Sequence, residues 1–178
     1  MKLIGLSGKA RSGKDTVANH LWLHHEFTRI AFADPLKHGV KAMFGLTYDQ
    51  TFDDALKEVM IEHWGMTPRR MFQLMGTEAI RNTFGQDVWC KRFMLSYNLL
   101  YDTDNVVVPD VRFDNEAELI RSLGGVIVEI RRGTGLTGEA GAHVSEAGLS
   151  VAPEIVINND STLENLGLVT DQLVAVLK

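Results

Sequence analysis

One stretch near the start of the chain constrains the fold most: an apolar strand pattern runs into a glycine-rich turn that ends in lysine. Gly8 is followed by four residues and then by Gly13 and Lys14, and the apolar spacing of a helix comes next (Val17, Leu21). A strand, this loop and a helix in that order form a P-loop, whose backbone N–H groups and helix N-terminus bind phosphate. Lys14 adds a mobile cation for the β- and γ-phosphates of a nucleotide. The predicted phosphate-binding residues are Gly8, Arg11, Ser12, Gly13, Lys14, Asp15 and Thr16.

One position of the loop departs from the usual pattern. Ser or Thr normally follows the lysine and holds magnesium, whereas this chain has Asp15 there and Thr16 one place later. A second acid, Asp110, follows the apolar run 106–109, which is where a magnesium-organising carboxylate lies in P-loop proteins. We therefore expect Asp15, Thr16 and Asp110 to organise Mg²⁺, directly or through water. A plain turn aspartate is the alternative for Asp110, and Asp15 could face either the metal or the acceptor.

Composition narrows the class of protein. The chain has 178 residues, 45% of them hydrophobic, and a net charge of −5. These values predict one globular domain over residues 1–178 and disfavour a general nucleic-acid surface. The apolar runs are too short for a membrane span, and the chain enters a strand at once, so we expect no signal peptide. Cys90 is the only cysteine, which excludes an internal disulfide and favours a reducing cytoplasm.

Strand and helix patterns alternate along the chain, which predicts a parallel α/β sheet. The predicted strands are residues 2–7, 28–33, 105–108, 126–130 and 155–157. Helices are predicted over 14–26, over 114–123, and from a capping box at 161–164 onward, the last one burying Leu163, Leu166, Leu173 and Leu177. Residues 35–102 read as helical pieces broken near residues 45, 65–68 and 85, and residues 132–149 as a flexible loop. Ligands should bind outside the carboxyl ends of the strands.

Basic and polar residues mark two further parts of a site. Arg70 and Gln73 share one helix face, with Thr77 a turn further on. An arginine there can hold an acceptor phosphate bidentately, and a glutamine can bind a base edge. Trp89 either stacks on that base or lies in the core. Arg112 either points to the crevice or forms a surface ion pair with Asp114 or Glu116.

Arg131 and Arg132 stand at the base of the glycine-rich segment. Two arginines there predict a lid over about residues 132–149 that closes on transferring phosphate and excludes water. A charged strand end is the alternative. The pair His24–His25 and the single His63 have no partners at the spacing of metal ligands. We therefore interpret them as ordinary surface or core histidines and not as zinc ligands. We find no nucleophile elbow and no Asn-Lys-x-Asp element of a GTPase.

The combined motifs resemble the phage-type deoxynucleoside monophosphate kinases. The motifs are Gly8 to Thr16, 33–37, 69–78, Trp89, 108–112 and 143–149. The resemblance implies a P-loop NMP-kinase-like three-layer α/β/α fold with a helical acceptor-binding region at about 35–102 and transfer of the ATP γ-phosphoryl to a deoxynucleoside monophosphate. It also implies that Asp15, Thr77, Trp89, Asp110 and Arg112 line the acceptor site. A family member has a longer insert before the Arg69-Arg70 helix and glycine in place of Asp34.

Together these patterns assign the roles in phosphoryl transfer. Because the acceptor is already an ionised phosphate, no strong general base is needed, and positioning with charge neutralisation suffices. The predicted catalytic residues are Lys14, Asp15, Asp110, Arg112, Arg131 and Arg132. The predicted acceptor-binding residues are Lys9, Lys37, Arg70, Gln73, Gly76, Thr77, Trp89, Asp110, Arg112 and Glu116. Asn159, after the last strand, is expected to touch the donor adenine.

Two other functions remain open from sequence. A phosphomevalonate-kinase-like enzyme shares the Gly-Lys-Asp loop, but its acceptor has no base for Gln73 and Trp89 to bind. A nucleotide-gated binding module would close its lid on ATP without transferring phosphate, and the arginines of the lid would then have no use. The expected partners are ATP and a deoxynucleotide, with Mg²⁺ as cofactor and a homodimer as a candidate assembly.

Overall fold

A computed structural model of the chain describes residues 2–100, 104–133 and 135–177. The chain divides into two compact units. The sheet unit consists of Met1–Phe32 and Cys90–Lys178, and the helical unit of Ala33–Trp89. Residues 101 and 102, at the end of the predicted helical region, and residue 134, inside the predicted lid, lie outside the described residues.

The sheet unit is built on five parallel strands in the order β2-β3-β1-β4-β5. The strands are β1 Leu3–Ser7, β2 Phe27–Arg29, β3 Asn105–Val108, β4 Val126–Arg131 and β5 Ile155–Asn158. The central strand β1 is buried along its whole length, and its neighbours β3 and β4 lie on opposite sides of it. This confirms the predicted parallel sheet. The chain runs from β1 to β2 at one edge of the sheet but from β3 to β4 on the other side of β1, and ligands bind at such a switch between neighbouring strands, outside their carboxyl ends.

Helices cover both faces of this sheet, as alternation along β1 requires. The helices of this part of the chain are α1 Lys14–His25, α6 Val88–Tyr97, α7 Asp114–Ser122, α8 Gly138–Ala142 and α9 Leu163–Val176. Ile4 and Leu6 pack in one cluster with residues of α1 and α9. Gly5 faces the other way: a Cβ there would lie 2.8 Å from Ile127 and 3.4 Å from Ile120 of α7. The arrangement is the predicted three-layer α/β/α fold.

The helical unit is a series of short helices. They are α2 Asp34–Phe44, α3 Tyr48–Phe52, a 3₁₀ turn Leu56–Glu58, α4 Pro68–Gln73, a π-helical segment Leu74–Arg81, and α5 Asn82–Phe84. The predicted breaks are confirmed, because Gly45, Gly65 and Gly85 all have positive φ angles and helices end beside two of them. Its core is formed by Val40, Leu46 and Met71.

Three local predictions are wrong. Strand β2 ends at Arg29 and not at residue 33, because the chain turns there and the Phe32 N–H donates to Asp110 Oδ1 at 2.9 Å. The cap of α9 is Thr162, whose hydroxyl accepts the Asn165 N–H, and Leu163 is 71% exposed instead of buried. The predicted loop over 132–149 contains α8 and a 3₁₀ turn at Val144–Glu146.

The helices of the described ranges include none that is both long and apolar enough to cross a membrane.

Candidate active site

The loop after β1 has the backbone that a phosphate cradle requires. Gly8 and Gly13 have φ angles of +130° and +108°, values that favour glycine, and Arg11 is left-handed at +63°. Side chains are also excluded by space: a Cβ on Gly8 would lie 2.3 Å from the Ile130 carbonyl oxygen. Helix α1 begins directly after Gly13, so its N-terminus and the loop N–H groups face the same phosphate position. The predicted strand–loop–helix context of the P-loop is confirmed.

Lys14 lies folded back over this loop. Its Nζ donates to the carbonyl oxygens of Gly8 at 2.7 Å and Lys9 at 2.6 Å, and the residue is 8% exposed. Burial, reinforced by the positive charge of Arg112, lowers the pKa of Lys14 to about 8, although nearby carboxylates oppose the shift. Those carboxylates belong to Asp15, Glu146 and Asp110. The site therefore holds a cation that a bound phosphate would stabilise.

We expect ATP affinity to fall above about pH 8, where the free protein begins to lose the Lys14 proton. Phosphate binds the charged lysine, so binding must take up a proton at higher pH, and affinity falls by up to about tenfold per pH unit. Calorimetry in two buffers of different ionisation enthalpy, at about pH 7 and about pH 9, measures this uptake. The Lys14→Met variant should show none. Equal affinity at both pH values without proton uptake would contradict the expectation.

Ser12 and Asn159 connect the loop to the end of β5. Asn159 is 5% exposed and its Nδ2 donates to the Ser12 carbonyl oxygen at 2.8 Å. The Ser12 hydroxyl is buried and lacks a hydrogen-bond partner among the described residues. A phosphate oxygen above the loop would satisfy this hydroxyl, so the cradle fits the ligand that its backbone predicts. The predicted adenine contact of Asn159 stays a prediction.

Asn159→Ala should loosen the loop. The change removes one hydrogen bond and leaves a buried carbonyl oxygen without its donor, which costs about 1–3 kcal/mol of stability. ATP affinity should fall as well, because the loop is less well fixed. Thermal melting with and without ATP measures both effects. Asn158→Ala is the matched control, since Asn158 is the exposed last residue of β5; equal losses in the two variants would show that the contact to Ser12 does not matter.

Asp15 forms an ion pair that the sequence did not reveal. Its Oδ1 lies 2.5 Å from a guanidinium nitrogen of Arg29, the last residue of β2. Both side chains are substantially exposed, at 66% for Asp15 and 36% for Arg29. Arg29 is thus a further cation beside the P-loop. The sequence gave no signal for this role, because Arg29 stood near the start of the predicted strand 28–33 and not at its carboxyl end.

Arg112 lies in the crevice beside Lys14 and is bound by the predicted lid. Its guanidinium donates to the Ser145 carbonyl oxygen at 2.9 Å and to Glu146 Oε1. Glu116 Oε2 accepts the backbone N–H groups of Arg112 at 2.9 Å and Phe113 at 3.2 Å. Glu116 thereby fixes the loop that carries Arg112. Sequence reasoning gave no role to Glu146, because its partner is distant in the chain.

The segment predicted as a lid is attached at several points. A Cβ on Gly135 would lie 3.6 Å from Lys9 Cδ, so the segment packs against the P-loop. At its far end, hydrogen bonds from Ser150 hold the pKa of Asp114 below its usual value. Arg131 is exposed and pairs with Glu129 at 2.7 Å, and Arg132 is exposed. The roles of Arg131 and Arg132 in phosphate transfer stay predictions.

Other predicted acceptor residues belong to the helical unit, most of them on α4 and the π-helical segment that continues it. The Trp89 indole N–H donates to the Gly76 carbonyl oxygen at 2.9 Å, and Gln73 is 7% exposed. Gly76 lies in the π-helical segment, an irregularity that is frequent at functional sites. Arg70 lies 3.8 Å from Glu78, and Thr77 follows Gly76. Lys37 lies 3.8 Å from Asp34.

The predicted magnesium ligands offer oxygen atoms only: the carboxylates of Asp15 and Asp110 and the hydroxyl of Thr16. Hard oxygen ligands are those that Mg²⁺ prefers, and it usually keeps several waters and substrate phosphates in its shell. The donor set therefore fits magnesium.

Fold and site together define a class. A five-stranded parallel sheet carries a P-loop after its central strand and a lysine over that loop. The charges of one arginine and three acids act on this lysine. This is the arrangement of a P-loop kinase, in which the protein positions phosphates and neutralises their charge.

Comparison with known proteins narrows the class to a family. The family model for deoxynucleotide monophosphate kinase matches residues 47–169. A protein of Acanthamoeba polyphaga mimivirus named for the same activity is 36% identical, over 92% of this chain and 91% of that relative. The deoxynucleotide monophosphate kinase of Enterobacteria phage T4 is 26% identical, over 93% of this chain and 95% of its own. The chain belongs to the deoxynucleotide monophosphate kinase family.

A solved shikimate kinase from Aquifex aeolicus aligns over 99% of both chains with 14% identity and a TM-score of 0.47. At that score the fold assignment depends on the sheet topology and the loop, not on the superposition.

Proposed function

We propose that the protein transfers the γ-phosphoryl group of ATP to a deoxynucleoside 5′-monophosphate, giving ADP and the deoxynucleoside diphosphate for DNA synthesis. One observation carries the proposal for this chain in particular. Lys14 on the P-loop and Arg112 after β3 are close enough for the charge of one to lower the pKa of the other. One cation suits the donor phosphates and the other the acceptor phosphate, which is the requirement of a kinase whose acceptor is itself a phosphate.

The donor is held by the P-loop. Backbone N–H groups from Gly8 to Thr16 surround its β- and γ-phosphates, and Lys14 exchanges its two carbonyl partners for phosphate oxygens. The buried Ser12 hydroxyl donates to the same phosphates. Arg11 and Asn159 complete the donor site, the latter mainly through its hydrogen bond to the loop.

The acceptor phosphate takes the place of a carboxylate. In the structure the Arg112 guanidinium pairs with Glu146, whose side chain is 7% exposed. A monophosphate offers the same guanidinium two or more oxygens in bidentate geometry. We infer that acceptor binding displaces Glu146 from Arg112, and that Arg131 and Arg132 then approach the phosphates from the lid. Glu116 holds the Arg112 backbone in position throughout.

Magnesium, when bound by Thr16, Asp110 and Asp15, supplies positive charge to the phosphate oxygens. The protein's own residues do the remaining work by orientation. Lys14 and Arg112 hold donor and acceptor in line, and their charges stabilise the loose transition state. No residue needs to remove a proton, because the attacking phosphate oxygen is already ionised at neutral pH.

The helical unit is assigned to the acceptor. We assign Gln73 to a base edge, Trp89 to the base, and Arg70 and Lys37 to additional positive charge. Gly76 and Thr77 lie between them on the π-helical segment. Because the Trp89 N–H is engaged by Gly76, we expect its ring face and not its nitrogen to meet the base.

Trp89 fluorescence should therefore respond to a deoxynucleotide without ATP. The other tryptophans, Trp22 and Trp64, are 58% and 38% exposed, and a Trp22→Phe/Trp64→Phe variant leaves Trp89 as the single reporter. We expect quenching that saturates with the acceptor concentration. An unchanged emission spectrum at saturating acceptor would place Trp89 in the core of the helical unit and remove it from the site.

The test of the function is ADP release in a coupled assay across the deoxynucleoside monophosphates, with phosphomevalonate as the control acceptor. We expect release with at least one deoxynucleotide and none with phosphomevalonate. ATP binding without any release would support a binding module instead. The same preparation tests for a homodimer by its mass in solution. That residues 1–178 act as one kinase domain and that the protein works in the cytoplasm are part of the proposal.

A further inference from the structure

A cluster of metal-ligating side chains lies away from the P-loop, on the surface where α1 and α9 pack together. His20 and His25 of α1 each place Nε2 at 2.7 Å from Oδ1 of Asp171 on α9. These three ligand atoms all lie within 4.8 Å of one another. The sequence reading of His24 and His25 as ordinary histidines missed this, because His20 and Asp171 are 151 positions apart.

We propose that His20, His25 and Asp171 form a binding site for a divalent transition-metal ion of the zinc type. Two imidazole nitrogens and one carboxylate oxygen are a ligand set that zinc uses, with water in the fourth position. Magnesium is not its ion, because Mg²⁺ prefers an all-oxygen shell. The site is therefore chemically distinct from the magnesium that accompanies ATP.

The backbone brings the three ligands together. His20 packs against a glycine of α9: a Cβ on Gly167 would lie 3.2 Å from His20 Cε1. Asp171 lies one turn beyond Gly167 on the same face of α9. A larger residue at Gly167 would push the imidazole away from Asp171, so this glycine permits the close approach.

The hydrogen bonds within the cluster are compatible with metal binding. Both imidazoles donate through Nε2 to the same oxygen. A metal ion binds the Nε2 lone pair, so each ring would then carry its hydrogen on Nδ1. His25 also lies in the last turn of α1, where the helix dipole favours a positive charge.

Only small movements are required. A zinc ion with bonds of about 2.0–2.2 Å needs its ligand atoms about 3.3–3.6 Å apart. The two Nε2–Oδ1 pairs must therefore open by less than about 1 Å from 2.7 Å. Rotation of the half-exposed Asp171 side chain, which is 48% exposed, supplies this. A bound ion would join α1, which follows the P-loop, to α9.

The test is a zinc titration of chelator-treated protein against a chromogenic zinc chelator, in excess Mg²⁺ and without nucleotide. We expect one tightly bound Zn²⁺ per chain and a higher melting temperature with Zn²⁺. His20→Gln, His25→Gln and Asp171→Asn should each weaken binding by at least about tenfold. The matched control is His63→Gln, an exposed histidine of the helical unit, which should bind as the parent does.

Binding that is unchanged in His20→Gln and Asp171→Asn would overturn the proposal, as would weak binding by the parent that His63→Gln lowers equally. Circular dichroism of each variant confirms that it is folded. Because the readout is metal binding without ATP, its outcome is independent of whether the protein is a kinase.

Discussion

Lys14→Met should reduce turnover by about a thousandfold or more while raising the stability of the nucleotide-free protein. The loss of turnover follows because Lys14 is the cation that neutralises the transferring phosphate, and single electrostatic groups of this kind are worth about 10²–10³ in rate or more. The gain in stability follows because the folded protein lowers the pKa of Lys14 from 10.5 to about 8. At neutral pH the folded state therefore carries a charge that its surroundings disfavour.

The sign of the pH effect on stability is opposite to that of a salt bridge. Below about pH 8 Lys14 is charged in both the folded and the unfolded protein, and its full cost to stability is present. Between about 8 and 10.5 the unfolded chain binds more protons, so the free energy of unfolding rises with pH over that range. Methionine removes the charge, and we expect a gain of about 2 kcal/mol at neutral pH after the lost hydrogen bonds are counted.

The melting temperatures and steady-state rates of the parent protein and of Lys14→Met test the expected gain in stability and the expected loss of turnover. Lys91→Met is the control, since Lys91 is an exposed lysine of α6. A Lys14→Met protein that keeps its turnover within about tenfold of the parent would exclude Lys14 from the chemistry. One that loses turnover and also melts earlier would show that Lys14 stabilises the loop instead of straining it.

Arg112→Ala should lower kcat/KM for the deoxynucleotide by about 10²–10³ and leave ATP binding nearly unchanged. The charge of the Arg112 guanidinium lowers the pKa of Lys14, and we assign this guanidinium to the acceptor phosphate. Arg112→Lys should recover part of the loss, because lysine keeps the charge but not the planar bidentate geometry.

Arg121→Ala serves as the control for Arg112. Arg121 also forms one ion pair, with Glu154 at 2.8 Å, and donates to a backbone carbonyl, but it lies on α7 away from the P-loop. An equal loss in Arg121→Ala, or a matching loss of ATP affinity in Arg112→Ala, would show that the effect is structural and not specific to the acceptor.

The regular parts of the fold were predictable because their signals are local. The unbroken valine run of β3 predicted a strand buried on both faces, and Val106, Val107 and Val108 are fully buried. The P-loop was predictable for the same reason, because its glycines stand at the positions where the backbone has positive φ. Strand β2 was predicted too long because apolar Phe32 continues the alternation, although the chain has already turned toward Asp110.

The parts of the sites that could not be predicted depend on contacts between residues that are distant in the sequence. Arg29 reaches Asp15 across two elements, Glu146 pairs with Arg112 from the lid, and Asp171 meets two histidines of α1. No spacing in the sequence brings these groups together. Even the cap of α9 depended on which of two adjacent hydroxyls, Ser161 or Thr162, faces the helix.

The central claim is that phosphate moves from ATP to a deoxynucleotide. ATP labelled in its γ-phosphate, incubated with the protein, Mg²⁺ and a mixture of the deoxynucleoside monophosphates, tests it in one measurement. We expect the label to appear in a deoxynucleoside diphosphate and Lys14→Met to abolish this product. Label that stays in ATP, or that appears only as inorganic phosphate, would contradict phosphoryl transfer to a deoxynucleotide.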